Sequence, residues 1–313
     1  MQGMLAHGIT VRGTYRQKAP ALPGVAWYPV RQLEAPEQWQ DLITDTDVVV
    51  HLAALVHEAG RAVKDRWPEY QRVNVDGTLV LARACRRAGV RRFVFVSSIA
   101  VYGRAAGRVD EHAATRPEDN YGRSKLAAED ALRAELSGSE TDWCILRLPA
   151  VYGPGSPGNM SRLQALVASG VPLPCGAIRN TRSFISVDNL VDAILTVLRY
   201  PRSIRAAFVV SDGSDFATPA IVRAFALGSR QRVRLLNVPV PVLRLLGRFG
   251  DFAGRALGIR TAVDSHTIDS LVGSLLVDGS RFREVFEWGP PIDGARAFEL
   301  AYGARPGGPA QSR

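Results

Sequence analysis

The amino-acid sequence predicts an α/β fold with a doubly wound parallel sheet and a smaller C-terminal lobe. Short β-rich runs alternate with longer helical patterns through the first half of the chain, which is typical of parallel strands joined by crossover helices. After Val151–Gly155 the alternation weakens, and glycine and proline become frequent. We therefore predict a core over residues 1–150 and a lobe interleaved with it over residues 151–313.

The predicted strands are runs rich in β-branched and aromatic residues. They cover residues 9–15, 25–30, 47–55, 92–98, 142–148 and 206–213. The run Asp47–Leu55 is apolar and β-branched, so we expect it to be a central strand buried on both faces.

The predicted helices follow from periodic apolar positions and from their end signals. One helix runs from about Glu69 to Ala88 and ends at Gly89, which suits the left-handed position after a helix. A second runs from about Gly122 to Leu136. Asp188 is expected to cap a third, Asn189–Leu198.

The segment Val238–Gly258 is apolar with regularly spaced arginines. Such a segment fits either a helix lying on a membrane surface or a lid of the C-terminal lobe or subunit contact. Three internal glycines weaken an isolated amphipathic helix and favour the lid or contact.

The amino-acid composition limits the kinds of partner and cellular location that we expect for the protein. The net charge is +9, but only three of the 39 basic residues are lysine, and the arginines are scattered. This distribution argues against a nucleic-acid partner. Anionic small molecules remain as expected partners. Stretches of about 18 consecutive apolar residues, as needed to span a membrane, do not occur. Because the start shows no secretory pattern either, we expect a cytoplasmic location. Cys85, Cys144 and Cys175 lack metal-site spacing.

Three residues suggest proton-transfer chemistry. Ser98 ends a predicted strand, and Tyr121 and Lys125 stand four apart on one face of the next helix. A phenol has a pKa near 10, and a nearby ammonium group lowers it. Tyr121 would then be a base that takes a proton from a hydroxyl while a hydride leaves its carbon, with Ser98 holding the same oxygen.

Six motifs carry a resemblance to a known family. They are HLAAL, RVNVDGTL, FVFVSSIAVYG, YGRSK, LRLPAVYGPG and RSFISVDNLVDAI, in this order between His7 and Phe298. The sequence resembles the extended short-chain dehydrogenase/reductase superfamily, in the NAD-dependent epimerase/dehydratase branch that includes UDP-galactose 4-epimerase. The segment Val171–Asp192 is similar to a subgroup from bacterial polysaccharide loci, which contains 4-epimerases and 4-keto-reductases of UDP-N-acetylhexosamines. The resemblance implies a Rossmann-type sheet, an NAD or NADP cofactor and a UDP-sugar substrate.

The resemblance also implies individual roles. Ser98, Tyr121 and Lys125 match the catalytic triad; Tyr121 and Lys125 would also touch the cofactor, and Ser98 the substrate. The remaining cofactor positions are Leu52, Ala53 and Ala54 beneath the pyrophosphate and ribose, Asn74 beside the active site, and Ser97, Pro149 and Val151 around the nicotinamide. The remaining substrate positions, expected to hold the nucleotide diphosphate, are Asn159, Arg182 and Phe184.

One family motif is missing. Members begin with a strand and a GxxGxxG turn that binds pyrophosphate, whereas here Met4–Gly8 looks like the end of the helix that follows that turn. We expect that the natural chain begins roughly 20–25 residues upstream, the length of one strand–turn–helix unit, or else that the protein is degenerate. Arg16 follows the next predicted strand where NAD-binding members carry an acid, which favours NADP.

Three functions stay open. The first is a 4-epimerase that works through a transient 4-keto sugar, and the second is a 4-keto-reductase of a UDP-4-keto-6-deoxyhexosamine. A dehydratase is disfavoured, because that branch places acidic residues where Ile99 and Ala100 stand here. The third is an inactive cofactor-binding or scaffold protein on the same fold. The resemblance suggests a homodimer formed through the helices around Asn74 and Tyr121.

Overall fold

A computed structural model describes residues 1–56, 66–103, 107–156, 159–229, 231–257 and 264–302. The strands are β1 (Val11–Tyr15), β2 (Val25–Pro29), β3 (Val48–His51), β4 (Arg92–Ser98), β5 (Arg108–Val109), β6 (Asp142–Leu148), β7 (Ala150–Tyr152), β8 (Arg182–Ser186), β9 (Arg205–Val209), β10 (Asp215–Phe216) and β11 (Leu276–Val277). The α-helices are α1 (Gln2–Ala6), α2 (Trp67–Tyr70), α3 (Gly77–Ala88), α4 (Asn120–Glu135), α5 (Asn159–Ala168), α6 (Val187–Arg199), α7 (Thr218–Gly228), α8 (Val240–Leu257), α9 (Ser265–Val272), α10 (Ser280–Phe286) and α11 (Gly294–Tyr302).

The main sheet confirms the doubly wound α/β fold. Its four strands are parallel in the order β3-β4-β6-β9, so β9 from the second half of the chain extends the sheet built by the first. Side chains alternate between its two faces. Phe93, Phe95 and Ile145 pack against α3 and α4, whereas Val94 and Leu146 pack against α6 and α10. Helices therefore cover both faces, and the strand ends are left to form a site.

The prediction that Asp47–Leu55 is a central strand is wrong for the described residues. The strand β3 has four residues and stands at the edge of the main sheet, and Val48, Val49 and Val50 are only half-buried because no strand pairs with its outer side. The strands β1 and β2 form a separate parallel pair.

A π-helical turn interrupts the helix that follows β3. The helix α2 leads into this turn, Gln71–Asp76, which leads into α3. Gly89 ends α3 with φ 68°, in the left-handed conformation that the sequence predicted. The turn itself was not predicted. Such turns occur often at functional sites, and this one contains Asn74.

The cap of α6 corrects another prediction. Ser186, not Asp188, is the N-cap: its backbone is extended, and its Oγ accepts a hydrogen bond from the Asn189 N–H at 3.1 Å. Asp188 already belongs to the first helical turn, so its side chain is too late in the chain to cap it.

The second half of the chain builds its own core. A small sheet with the order β10-β8-β7 packs with α7 and α11 through an aromatic cluster that includes Phe184 and Phe298. The predicted helix at 238–258 is α8, which packs on α9 and turns several large apolar side chains to solvent. Among the described residues, none of the helices is both long and apolar enough to cross a membrane.

Candidate active site

Ser98 and Tyr121 meet at the carboxyl end of β4. Ser98 is the last residue of that strand, and its Oγ accepts a hydrogen bond from the Ala100 N–H at 3.1 Å. The Tyr121 hydroxyl is hydrogen-bonded to Ser98. A Cβ on Gly122 would lie 2.5 Å from the Ala100 carbonyl oxygen, so α4 approaches this turn closely only because residue 122 is glycine. Two of the three residues of the predicted triad, Ser98 and Tyr121, are therefore in contact.

Lys125 lies one helical turn after Tyr121 on an apolar floor. Its side chain is buried, and its Nζ stands 4.4 Å from the centre of the Phe95 ring. Burial lowers the pKa of Lys125 to about 8, against a smaller rise from Glu129. His51 also stacks against Phe95. Burial and the charge of Lys125 lower the pKa of His51 to about 3, so the imidazole is neutral at ordinary pH.

The lowering of the Tyr121 pKa expected from Lys125 stays a prediction, and the surroundings of the phenol shift its pKa in the opposite direction. Burial raises the pKa of Tyr121 above its ordinary value, and the hydrogen bond from Ser98 lowers it by less. Tyr121 is thus a neutral phenol at neutral pH, and further positive charge is needed beside it before it acts as a base.

A buried ionic network underlies the catalytic helix. Glu129 is fully buried one turn beyond Lys125 and accepts hydrogen bonds from Ser97 Oγ at 2.6 Å, Arg133 Nη2 at 2.8 Å and Arg147 Nη2 at 2.7 Å. Burial lowers the pKa of Arg147, but the bond to Glu129 outweighs it and keeps this pKa above the usual value. The network ties α4 to β4 and β6, which fixes where Tyr121 and Lys125 stand.

Our reading of the sequence missed this network. Two signals could have found it: Arg147 is a charge within the apolar strand DWCILRL, and Glu129 continues the spacing of Tyr121 and Lys125 by a further four residues. A charge in a buried strand needs a partner, and a glutamate on the inner face of the neighbouring helix can provide it.

Asn74 clamps the loop that follows β3. Its Oδ1 accepts a hydrogen bond from the Leu55 N–H at 2.7 Å, and its Nδ2 donates to the Leu55 carbonyl at 3.0 Å and to Ser124 Oγ at 2.8 Å. The loop is thereby fixed to α4. Leu52 and Ala53 remain exposed at the carboxyl end of β3, and Ala54 is half-buried, so this edge offers an open surface beside the triad.

The residues predicted around the nicotinamide lie in different settings. Ser97 is buried and gives its hydroxyl to Glu129, so its side chain does not line an open pocket. Pro149 is buried directly after β6, and Val151 in β7 is half-buried. Both follow the end of β6 and share the sheet edge that holds Ser98.

The predicted substrate residues belong to the second core. Arg182 opens β8 half-buried, and burial lowers its pKa. Phe184 is 3% exposed and packs against Tyr152 and Phe216 in the aromatic cluster, so its side chain offers no open contact surface. The backbone of Asn159 begins α5, but its side chain lies outside the described residues.

A cleft of about 680 Å³ is lined in part by the residues that directly precede Arg182 in the chain. It is lined by the segment 176–181 and by residues of and around α7, and its polar residues include Arg179, Arg223 and Asn237. Neither Tyr121 nor Lys125 lines it. The cleft therefore has the basic character that suits an anionic ligand, at a place distinct from the triad.

Two arginines at β1 differ in whether the fold already uses their side chains. Arg16 is exposed just after the strand. Arg12, which the sequence places nearby, instead donates hydrogen bonds to the carbonyls of Leu42 and Thr44. Only Arg16 is left to meet a ligand there.

A sheet with Ser, Tyr and Lys at its carboxyl edge defines a class of dinucleotide-dependent enzymes, and comparison with known proteins shows which one. Residues 2–211 match the NAD dependent epimerase/dehydratase family, and the chain belongs to that family. It is therefore an enzyme of the nucleotide-sugar epimerase and dehydratase type, with an NAD-type cofactor.

Particular relatives are similar over most of the chain. The UDP-glucose 4-epimerase of Vibrio cholerae is 36% identical over 271 residues, which cover 84% of this chain and 78% of that protein. The structure of MoeE5 in complex with UDP-glucuronic acid and NAD has 26% identity and a TM-score of 0.74, covering 96% of this chain and 91% of the other. The N-acetyl-alpha-D-glucosaminyl-diphospho-ditrans,octacis-undecaprenol 4-epimerase of Escherichia coli O157:H7 is 27% identical over 68% of this chain and 65% of its own length.

Proposed function

We propose that this chain is a 4-epimerase of a UDP-hexose or UDP-N-acetylhexosamine that works through a transient 4-keto sugar. The observation that carries the proposal is the hydrogen bond between Tyr121 and Ser98 at the carboxyl end of β4, with Lys125 buried one turn away on the same helix. The names of the Vibrio cholerae relative and of the MoeE5 complex support a UDP-sugar substrate.

Tyr121 is the proton acceptor in this mechanism. It takes the proton of the sugar 4-hydroxyl, and Ser98 hydrogen-bonds to the same oxygen, so the oxygen is held while the carbon loses a hydride. Turning of the keto sugar and return of proton and hydride to its other face would give the 4-epimer. An oxidised nicotinamide, when bound, would supply both the hydride acceptor and a positive charge that lowers the pKa of the phenol.

The residues at this sheet edge fit one end of a dinucleotide. Leu52, Ala53, Tyr121 and Lys125 would hold the ribose and nicotinamide, because small exposed residues after β3 permit a close approach of backbone and Lys125 offers a buried donor. The present sequence has no GxxGxxG turn for the pyrophosphate, so the residues proposed here serve the ribose and nicotinamide end.

The choice between NAD and NADP is a finer proposal. The names of solved relatives print NAD, whereas the exposed Arg16 favours the phosphate of NADP. We propose that Arg16 sets a preference for NADP. Titrating the protein with each cofactor, before and after Arg16→Glu, would test this; equal affinities for NADP in both proteins would contradict it.

The substrate diphosphate is proposed to bind at Arg182. A half-buried guanidinium at the start of β8 can pair with phosphate oxygens through two donors. The cleft with Arg179 and Arg223 lies along the adjoining segment and would take the nucleotide end. Phe184 would support Arg182 from the core rather than touch the ligand.

An assay with limiting cofactor separates the open functions. The protein is mixed with UDP-glucose or UDP-N-acetylglucosamine and with less NAD than sugar, and the sugars are followed by proton NMR. An epimerase forms more 4-epimer than there is cofactor, because no cofactor is consumed. A 4-keto-reductase would leave these sugars unchanged and would instead consume reduced cofactor with a 4-keto substrate.

Controls make a negative assay informative. Tyr121→Phe should form no epimer while it still binds cofactor. If the unaltered protein binds cofactor, measured by calorimetry, yet converts none of the sugars, the epimerase proposal fails and the inactive scaffold is favoured.

A second candidate substrate is a sugar carried on a polyprenyl diphosphate. The name of the Escherichia coli relative prints such a substrate, and the observation that favours it here is the exposed apolar face of α8. Adding this lipid-linked sugar to the same assay, in detergent, would distinguish the candidates by which sugar is epimerised faster.

A further inference from the structure

The helix α8 turns an apolar surface to solvent that the fold does not use. Its exposed members are Val242, Leu245, Leu246, Phe249 and Phe252, and the two phenylalanines are 62% and 71% exposed. Scattered exposed apolar residues are ordinary, but a contiguous stripe of this size marks an interaction surface.

Helical geometry places these residues on one stripe. At 100° per residue they fill an arc of about 120°. Leu243 and Gly247 lie on a different side: Leu243 is buried in the core of the second lobe, and a Cβ on Gly247 would lie 3.0 Å from the Ser265 Cα. The Asp251 carboxylate accepts a hydrogen bond from the Ser265 N–H at 3.2 Å. Packing on α9 therefore fixes the orientation of α8 and points the stripe outward.

The border of the stripe is basic. Arg248 lies about 40° beyond the edge formed by Phe252 and Arg244 about 80° beyond it, and both are exposed. Asp269 approaches Arg244 only at 3.9 Å. The whole chain carries a charge of +9, so α8 presents an apolar stripe with a positive edge on a positive molecule. This is the pattern of a helix that lies in a membrane interface.

We propose that α8 docks on the surface of an anionic lipid bilayer. Phe249 and Phe252 enter the boundary between headgroups and acyl chains, and Arg244 and Arg248 contact the headgroup phosphates. Charge complementarity favours this occupant, because the basic border and the net charge of +9 attract anionic headgroups and repel a second copy of the same positive chain. The docking does not depend on which sugar the enzyme uses.

Vesicle sedimentation tests the docking directly. The full chain is mixed with vesicles of equimolar phosphatidylcholine and phosphatidylglycerol, and with vesicles of phosphatidylcholine alone. We expect binding to the anionic vesicles, weakened about tenfold or more by Phe249→Ser with Phe252→Ser, and weakened by Arg248→Glu on the anionic vesicles only.

The matched control is Leu227→Ser, since Leu227 is 73% exposed on α7, outside the stripe. It should bind vesicles like the unaltered protein. Circular dichroism and activity on a soluble UDP-sugar should be the same in all variants, so that failure of docking and failure of the proposed function are seen separately.

Two results would overturn the proposal. One is equal vesicle binding by the unaltered protein and the double serine variant, or no binding by either. The other is a dimer in solution, measured by light scattering, that the double variant converts to monomer while vesicle binding is absent; the stripe would then join two copies of the chain.

Discussion

Tyr121 and Lys125 share a face of α4, and their surroundings shift their pKa values in opposite directions. Burial alone moves both groups towards their neutral forms, since it raises the pKa of the phenol and lowers that of the ammonium group. The spacing of the two residues predicted their proximity. It did not predict that the Lys125 ammonium group would be buried over the Phe95 ring, 4.4 Å from its centre.

Replacing the phenol should remove the chemistry and spare the fold. In Tyr121→Phe the ring is retained and only the hydroxyl is lost, so we expect turnover to fall by at least 10²- to 10⁴-fold, the usual contribution of general base catalysis. Steady-state kinetics measures the loss, and calorimetric titration should show cofactor binding changed little. Turnover within a few-fold of the unaltered protein would contradict the assignment of the base.

Lys125 should titrate near pH 8. The chain has three lysines, so reductive methylation with ¹³C-formaldehyde gives three lysine signals beside that of the α-amino group, and Lys125→Met assigns one of them. We expect this signal to titrate at about 8, below the ordinary lysine pKa of 10.5, because the charged form is desolvated.

The lowered pKa of Lys125 also makes the stability of the fold depend on pH. Between about pH 8 and the ordinary lysine pKa, the unfolded chain holds a proton on Lys125 that the folded chain has lost, so this residue makes folding more favourable as the pH rises. The difference in free energy of unfolding between the unaltered protein and Lys125→Met should follow that trend. A lysine signal at the ordinary value, or a difference that does not vary with pH, would contradict the burial of the charge.

At the scale of elements, the position of α4 depends on a few anchors. Glu129 joins the helix to Ser97 in β4 and to Arg147 in β6, and Asp119 caps its start by accepting a hydrogen bond from the Gly122 N–H at 2.7 Å. The Asn74 clamp adds the loop after β3. Through these contacts, three strand ends and one helix hold the triad as a single unit.

Removing the charge of Glu129 should be costly. Glu129→Gln leaves the buried Arg147 without its countercharge, and we expect a loss of about 3 kcal/mol or more in the free energy of unfolding. The matched control is Glu135→Gln on the same helix, whose partners Arg83 and Arg86 are about half exposed; it should cost less than about 1 kcal/mol. Urea unfolding measures both. Equal losses in the two variants would show that the network does not anchor α4.

At the scale of the whole molecule, both halves of the chain contribute strands to the main sheet, and the second half also has a core of its own. The strand β9 returns from the second half of the chain to pair with β6, while Arg182 starts β8 on the side of the second core. A UDP-sugar bound as proposed would reach from the triad to Arg182. The predicted division at residue 150 and the predicted homodimer stay predictions.

The reach between the two cores can be tested at Arg182. Arg182→Lys keeps the positive charge but loses the planar pair of donors, so we expect KM for the UDP-sugar to rise about tenfold with a smaller change in kcat. Steady-state kinetics separates the two constants. Arg199→Lys, at an exposed position of α6 that does not line the cleft, serves as control. An unchanged KM in Arg182→Lys would place the diphosphate elsewhere.

The sequence by itself determined the local elements, and it predicted that Ser98 and Tyr121 would meet at the end of β4. The strands Arg92–Ser98 and Asp142–Leu148 begin and end where their apolar runs predicted, Gly89 ends α3 in the left-handed conformation, and the helix with Tyr121 and Lys125 was foreseen within two residues. Such features are written in neighbouring residues, since periodicity, capping and glycine conformations act over one or two turns of chain.

The tertiary structure alone decided the surroundings of those elements. The edge position of β3, the core position of Phe184, the Glu129–Arg147 network and the raised pKa of Tyr121 all depend on residues far apart in sequence. Burial and pairing are properties of the packed chain: a side chain is desolvated, or a charge neutralised, only by whatever the fold brings against it.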